Sequence, residues 1–336
     1  LWPVWLFRHL SFSGSIDFIK EMEPHLRSLL GYFERLAEEQ GGLLGSPEAG
    51  YVNPCIIDFD ENLERRGIST ALNGFYCYSL LKAGWLYQQM GDKEMTHKCG
   101  KQASEVARMI RELTWDEDKG LFSDAWIEGK MAETYSMQAN VMALASGIAT
   151  QDNYDAIFNK MFVDYAPFQN LEVDPHSDNP YFKFFLLDMA YSLGHREWCT
   201  DYIRYYWGGM IQNGATTWWE RYSPELDISE QYPESRCHGY GVSANYFIIS
   251  EVLGVRPVDP GFYQIYFDPH LTAVEWAKAS IPTPHGHIKF EWRFTDAGEL
   301  EINIDSSYPL EVAPQLDPTF AAIAVMKVGD NVSILQ

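Results

Sequence analysis

Apolar residues recur at helical spacing through the first three quarters of the chain. From Ile16 to Gln40 the stripe is Met22, Leu26, Leu29, Leu30, Phe33 and Leu36, and Gly41-Gly42 ends it. From Ile68 to Met90 it is Leu72, Phe75, Tyr76, Ala83, Leu86, Tyr87 and Met90, with Ser69-Thr70 as caps and Gly91 as the stop. Ala103, Val106, Ala107, Ile110 and Leu113 trace the next helix. Further helices are predicted at 135–149, 152–162, 180–194, 196–212 and 240–253, and an opening Trp2–Phe12 brings the count to about nine.

The helices pair through short turns, such as Gly91-Asp92-Lys93 and Gly194-His195, alternating with long loops. Those loops are Gly41–Gly67, Trp115–Thr134, Asp164–Asn179 and Asn213–Gly239. Such alternation predicts concentric layers of helical hairpins whose long loops gather at one end and build a pocket. An α-solenoid shares the pairing and stays open at this level. Near Gly254 the prolines and glycines of Val255–Gly261 end the last helix, and the period changes to two. Ile288, Phe290, Trp292 and Phe294 alternate with Lys289, Glu291 and Arg293, Asp296-Ala297-Gly298 turns the chain, and Leu300–Ile304 returns. Ala321–Val328 reads as another strand. The expected organisation is a mainly α domain over 1–254 followed by a small antiparallel sheet domain over 255–336.

A formal charge of −22 argues against a nucleic-acid partner, because a phosphate backbone needs a basic face. No apolar run reaches the length of a membrane span. The apolar start Leu1–Phe7 lacks a basic lead-in and a small-residue cleavage site, and it reads as an interior segment of a longer protein. Five scattered cysteines form no CxxC pair and no metal spacing, which favours reduced thiols and the cytoplasm. Cys237 stands beside His238 but reads first as a buried structural thiol. An aromatic fraction of 15 %, with 11 Trp and 20 Tyr, suits rings stacked on sugar faces, although core packing accounts for most of them.

Three segments could carry chemistry. In Asn213-Gly214-Ala215-Thr216-Thr217-Trp218-Trp219-Glu220-Arg221-Tyr222 a carboxylate stands between two Trp and an Arg, just past a helix end. The rings would lower the local dielectric, and Arg221 would keep Glu220 ionised if it lies close. A surface Glu–Arg pair beneath packed Trp rings is the plain alternative. Ser235-Arg236-Cys237-His238-Gly239-Tyr240-Gly241 opens a helix with glycines on both sides of Tyr240, so His238 is either a cap or a hydroxyl ligand. Asn53-Pro54-Cys55-Ile56-Ile57-Asp58-Phe59-Asp60-Glu61 is an acidic loop, either solvated, turned toward substrate hydroxyls, or able to take a divalent ion. Trp115-Asp116-Glu117-Asp118 with Lys119-Gly120 reads as a turn. No nucleotide loop, zinc spacing or G-x-S-x-G elbow occurs.

Together these segments resemble the α-L-rhamnosidases of glycoside hydrolase family 78. Gly214-Ala215-Thr216-Thr217-Trp218-Trp219-Glu220-Arg221 is similar to the family's G-A-T-T-x-W-E-R, and the likeness continues through His238-Gly239-Tyr240 and Ile248–Pro257. Glu275-Trp276-Ala277-Lys278 and Pro282-Thr283-Pro284-His285-Gly286 resemble its C-terminal β-domain, and Gly120–Ala125 also fits. The resemblance covers essentially the whole chain. It implies an (α/α)6 barrel of the six-hairpin glycosidase type followed by a β-sandwich, and inverting cleavage of terminal α-L-rhamnosides. It places Glu220 on the general base, His238 on a substrate contact, Trp218 and Trp219 on the sugar subsite and Arg221 on the orientation of the base. Asp58 and Phe59 fall near a pocket segment that usually reads Asp-Trp, while His285 falls on a structural turn. No metal or cofactor is implied; the partner is a rhamnose-containing carbohydrate, and a homodimer is kept as an assembly. The family's Arg-rich stretch bearing the general acid has no counterpart here. Nine helices stand where twelve close a barrel, so the barrel is expected to be incomplete at its start and the acid to lie upstream of Leu1. A non-catalytic carbohydrate-binding or degenerate module, and a six-hairpin glycosidase for another sugar, are the other readings.

Overall fold

The computed structural model describes residues 1–46, 57–58, 63–163, 178–231 and 234–335. The helices are α1 (Trp2–Ser13), α2 (Ile16–Glu38), α3 (Thr70–Met90), α4 (Lys93–Thr114), α5 (Met137–Ser146), α6 (Tyr154–Phe162), α7 (Lys183–Ser192), α8 (Arg196–Gln212) and α9 (Ser243–Phe247). The chain divides into two compact units. The first comprises Leu1–Val4, Glu21–Gly194 and Tyr202–Ser243, and the second Trp5–Lys20, His195–Asp201 and Ala244–Gln336. The sequence boundary at Gly254 therefore falls inside the second unit, ten residues after Ala244.

In the first unit helices of two kinds alternate. On α3, Ala71, Phe75, Cys77, Tyr78, Leu80, Ala83, Leu86 and Tyr87 are buried, which covers every side of the helix. On α5 all residues from Met137 to Leu144 are buried, and on α7 Phe185, Leu186, Leu187, Met189, Ala190 and Tyr191. By contrast α4 buries a single stripe, Met95, Cys99, Ala103, Val106, Ala107 and Ile110, and α6 only Ile157 and Phe158. A helix apolar on all sides needs protein around it, whereas a striped helix can face water. Since α3 packs on α4 and α5, and α5 on α6 and α7, the arrangement is an inner row of α3, α5 and α7 with α4 and α6 outside it. Gly91 (φ 81°) closes α3, and the Asp92 side chain accepts Met95 N–H to start α4.

Among the described residues, parts of two of the long loops, Gly41–Gly67 and Trp115–Thr134, pair with each other. Short strands β1 (Gly45–Ser46) and β2 (Gly67–Ser69) join β5 (Ala125–Ile127) and β6 (Lys130–Met131) in one sheet, order β1-β2-β5-β6, while β3 (Trp115–Asp116) pairs with β4 (Leu121–Phe122). The Trp115–Gly120 segment is a turn, with Asp116 accepting from Lys119 N–H at 3.0 Å and from Tyr135 Oη at 2.5 Å.

The second unit carries two four-stranded sheets. Their strands are β7 (Val255–Pro257), β8 (Gln264–Phe267), β9 (Trp276–Thr283), β10 (Gly286–Phe294), β11 (Leu300–Ser306), β12 (Leu310–Pro314), β13 (Ala324–Val328) and β14 (Val332–Ile334), ordered β13-β11-β10-β9 and β14-β12-β8-β7. Ile265, Phe267 and Val312 from one sheet and Ile288, Phe290, Trp292 and Ile302 from the other meet in one buried cluster, so the unit is a sandwich. The predicted alternation on β10 holds, with Ile288, Phe290 and Trp292 buried. The sheets are mixed rather than antiparallel: β13 runs parallel to β11, and β12 parallel to β8 and to β14. The helical turn α10 (Pro318–Ala321), capped by Asp317, takes up the start of the strand predicted at 321–328 and carries the chain across the sheet end, so β13 enters in the same direction as β11.

The helix expected at 240–253 is broken. Gly239–Val242 is a 3-10 turn, α9 follows, and Ile248–Val252 is a π turn closed by Leu253 N–H to Ile248 O at 2.8 Å. Gly254 ends it at φ 83°, where a Cβ would fall 2.2 Å from the carbonyl carbon of Asp268, so no other residue fits. Among the described residues no helix is long and apolar enough to cross a membrane, and no group of three or more His, Cys, Asp or Glu could hold a metal ion.

Candidate active site

Two segments of the first unit meet at the predicted carboxylate. The Thr216–Arg221 segment and the Ser235–Tyr240 segment are laced together by their main chains. Glu220 N–H donates to Ser235 O and His238 N–H to Trp218 O, both at 2.9 Å. The Thr217 hydroxyl adds a bond to Arg236 O. Gly241 completes the fit, because a Cβ there would stand 2.2 Å from Trp218 Cβ, and its carbonyl accepts the buried Trp207 indole N–H at 2.8 Å.

This lacing brings Glu220 and His238 face to face, with Glu220 Oε1 3.6 Å from His238 Nε2 and both side chains about a quarter exposed. Tyr240 N–H donates to His238 Nδ1 at 3.2 Å, so Nδ1 is an acceptor and the proton of neutral imidazole sits on Nε2, toward the carboxylate. The Tyr240 ring lies 4.2 Å from the His238 ring, and Tyr181 lies 5.2 Å beyond Tyr240. Burial above all, then Asp58 and Tyr240, raises the Tyr181 phenol well above its ordinary value. Asp58 is therefore close to this aromatic row. It is 5 % exposed, with Gln138 Nε2 donating to one carboxylate oxygen at 2.7 Å and Asn179 Nδ2 to the other at 3.4 Å.

Of the residues singled out in the sequence, Glu220, His238 and Trp218 stand together, Trp218 half-exposed. Trp219 is 4 % exposed and packs edge-on against Tyr222, with the Arg236 guanidinium 5.6 Å above its ring. Arg221 lies 3.6 Å from Glu234. Phe59 lies outside the described residues, as do Asn53–Ile56, Asp60 and Glu61. Cys237 is exposed rather than buried, because its loop runs over the surface between Ser235 and the His238 turn. Burial pushes the thiols of Cys77 and Cys99, in contrast, up to about 12 and about 11. His285 stacks on Tyr263 at 4.0 Å in the sandwich, as a structural residue does.

Sequence reasoning missed Gln138 and Asn179, which bond the Asp58 carboxylate across up to 121 positions, and Tyr181, which packs on Tyr240. It also missed a buried ion pair. Lys183 Nζ stands 2.5 Å from Asp178 Oδ1, with side chains 4 % and 16 % exposed. The ammonium lies 4.4 Å over the Tyr206 ring. Burial pushes the Asp178 carboxyl up to about 6 against the pull of Lys183, while Asp178 outweighs burial and holds Lys183 above its ordinary value.

Paired inner and outer helices followed by a β-sandwich are the fold of the six-hairpin glycosidases. A family model described as trehalase matches residues 65–179, and one described as the bacterial α-L-rhamnosidase C-terminal domain matches residues 254–313. An α-L-rhamnosidase of Alteromonas sp. (strain LOR) is 28 % identical over 329 residues, covering 91 % of this chain and 32 % of its own. The crystal structure of a GH78 family rhamnosidase from Bacillus sp. GL1 superposes with TM-score 0.83 at 25 % identity, over 99 % of this chain and 34 % of that one. The Streptomyces avermitilis α-L-rhamnosidase complexed with L-rhamnose shares the fold, with TM-score 0.62 at 18 % identity over 89 % of this chain and 27 % of that one. Across most of its length the chain is similar to α-L-rhamnosidases of glycoside hydrolase family 78, and it spans about a third of the length of the relatives it matches.

Proposed function

We propose that the chain supplies the general base and part of the sugar pocket of an inverting α-L-rhamnosidase. The observation that carries this reading is the placement of Glu220, a part-exposed carboxylate held by main-chain bonds and facing His238 Nε2 at 3.6 Å. In inversion one carboxylate takes a proton from water while an acid, about 6.5–9.5 Å away, protonates the leaving oxygen. Glu220 is the base in this scheme. His238 donates from Nε2 either to Glu220 or to a sugar hydroxyl entering between them. Trp218 and Tyr240 offer faces to the ring, Asp58 accepts from its hydroxyls, and Arg221 steadies the Glu220 loop through Glu234. The general acid is assigned to the portion of the enzyme that matches the other two thirds of the relatives.

The test is turnover of an aryl α-L-rhamnoside by the complete protein with Glu220→Gln. A fall in kcat of about 10²–10⁴-fold with native folding supports the base; near-normal turnover removes it. The trehalase-type match over 65–179 favours one second reading, a six-hairpin glycosidase for another sugar. Faster hydrolysis of an aryl glucoside or of trehalose than of the rhamnoside would establish it. Binding of rhamnose by calorimetry without any cleavage would instead mark a binding module.

A further inference from the structure

Asp178 and Lys183 have no place in the chemistry just described, yet they are buried beside it. Taking two charges out of water is unfavourable unless their geometry serves something else. What Asp178 offers is its main chain. Its carbonyl accepts Tyr222 N–H at 3.0 Å, two residues past Glu220, and also the Tyr206 hydroxyl at 3.4 Å. On the other side of Glu220 the lacing to Ser235 and His238 already fixes the chain. The downstream end thus depends on Asp178, and Asp178 depends on Lys183, the first residue of the inner helix α7.

Tyr222 shows how closely that end is held. Its ring fills the notch left by Gly209 on α8, where a Cβ would fall 2.4 Å from the phenol oxygen, and Asn213 Nδ2 donates to that oxygen at 3.1 Å. A shift of the Asp178 carbonyl would have to move Tyr222 within this notch or break its amide bond. Either change is passed two residues back to the Glu220 carboxylate.

We propose that the Asp178–Lys183 pair is a positioning device for Glu220, anchoring the base-bearing loop to α7 through the Asp178 carbonyl and Tyr222 N–H. The inference rests on Glu220 being the general base, and its test separates the two. In the complete protein, assayed at pH 7 below the melting temperature of each variant, Lys183→Met is expected to lower kcat about ten- to a hundredfold. KM should stay within about threefold, because the group lost acts through the base and not on bound sugar. The same substitution added to Glu220→Gln should leave the residual rate unchanged. Lys183→Gln, which keeps an N–H donor toward Asp178, should recover most of the lost turnover.

Asp178→Asn/Lys183→Met removes both buried charges and so separates positioning from stability. Regained melting temperature with kcat still low supports the device. Wild-type kcat in that double variant overturns it, as do equal losses in Lys183→Met and Lys183→Gln, or a further loss on the Glu220→Gln background. Normal turnover in Glu220→Gln itself would instead remove the base, and the device with it.

Discussion

The chemistry of this protein concentrates on a few side chains whose neighbours are set by backbone geometry. His238 meets Glu220 because Gly241 lets the second loop press against Trp218. Gly241→Ala puts a methyl group 2.2 Å from Trp218 Cβ, an overlap expected to destabilise the folded state by ~1–3 kcal/mol and to part His238 from Glu220. Urea unfolding and rhamnose affinity would both register it; unchanged stability would mean the loops give way freely. Asp178 offers a second check. Its folded pKa of about 6 lies above the ordinary 3.8, so the native state binds that proton more tightly than the unfolded chain. Its contribution to stability is full below about pH 4 and is lost as pH rises through about 6. A carboxyl NMR titration of Asp178 with its midpoint at or below the ordinary value would contradict the burial argument. At this scale the sequence was informative where chemistry is local. Glu220 between Trp219 and Arg221, and His238 just ahead of Gly239-Tyr240-Gly241, could be read in order along the chain. Arg221 was expected near Glu220, and its pairing with Glu234 depends on how two loops fold. Tyr181, Gln138, Asn179 and Lys183 acquire their roles only when segments far apart in sequence meet.

Helices were legible because burial imposes their period, and their ends were legible where a cap is written in the sequence. Ser69 and Gly91 bound α3 as expected. The α5 start is less obvious and more informative. Ser136 Oγ accepts Ala139 N–H at 3.1 Å, while Ser136 N–H donates to the buried Asp124 carboxylate at 2.7 Å. Ser136→Ala should therefore cost ~1 kcal/mol in denaturant unfolding, the usual worth of an N-cap. A loss within error would assign the helix start to Asp124 alone. The stretch 240–253 carried an unbroken apolar pattern, yet it folds as 3-10, α and π turns in succession. Gly241 fits the close approach of Trp218, and Gly254 the approach of Asp268, constraints that periodicity does not register. Parallel pairing of β13 with β11 was likewise hidden, since alternation fixes which face a strand buries and not its direction.

For the molecule as a whole, composition excluded more than it specified. A charge of −22 leaves little for a polyanion to bind, and the aromatic content reports both core and pocket. The sandwich unit is expected to hold its fold through Trp292, which is 0 % exposed between its two sheets. Trp292→Ala should destabilise that unit by ~3–5 kcal/mol, read from its unfolding transition. The change from helical to alternating period near Gly254 lies inside the second unit, which begins again at Ala244 and also takes residues 5–20 and 195–201, a recruitment no local pattern announces. The central claim is that Glu220 activates water for inversion on a rhamnoside. The most direct measurement is NMR of the sugar released from an aryl α-L-rhamnoside by the complete protein, with wild type and Glu220→Gln side by side. The account predicts β-L-rhamnose as the first product of the wild type and a kcat lower by ~10²–10⁴-fold in the variant. First release of the α-anomer, or undiminished turnover by Glu220→Gln, would contradict it.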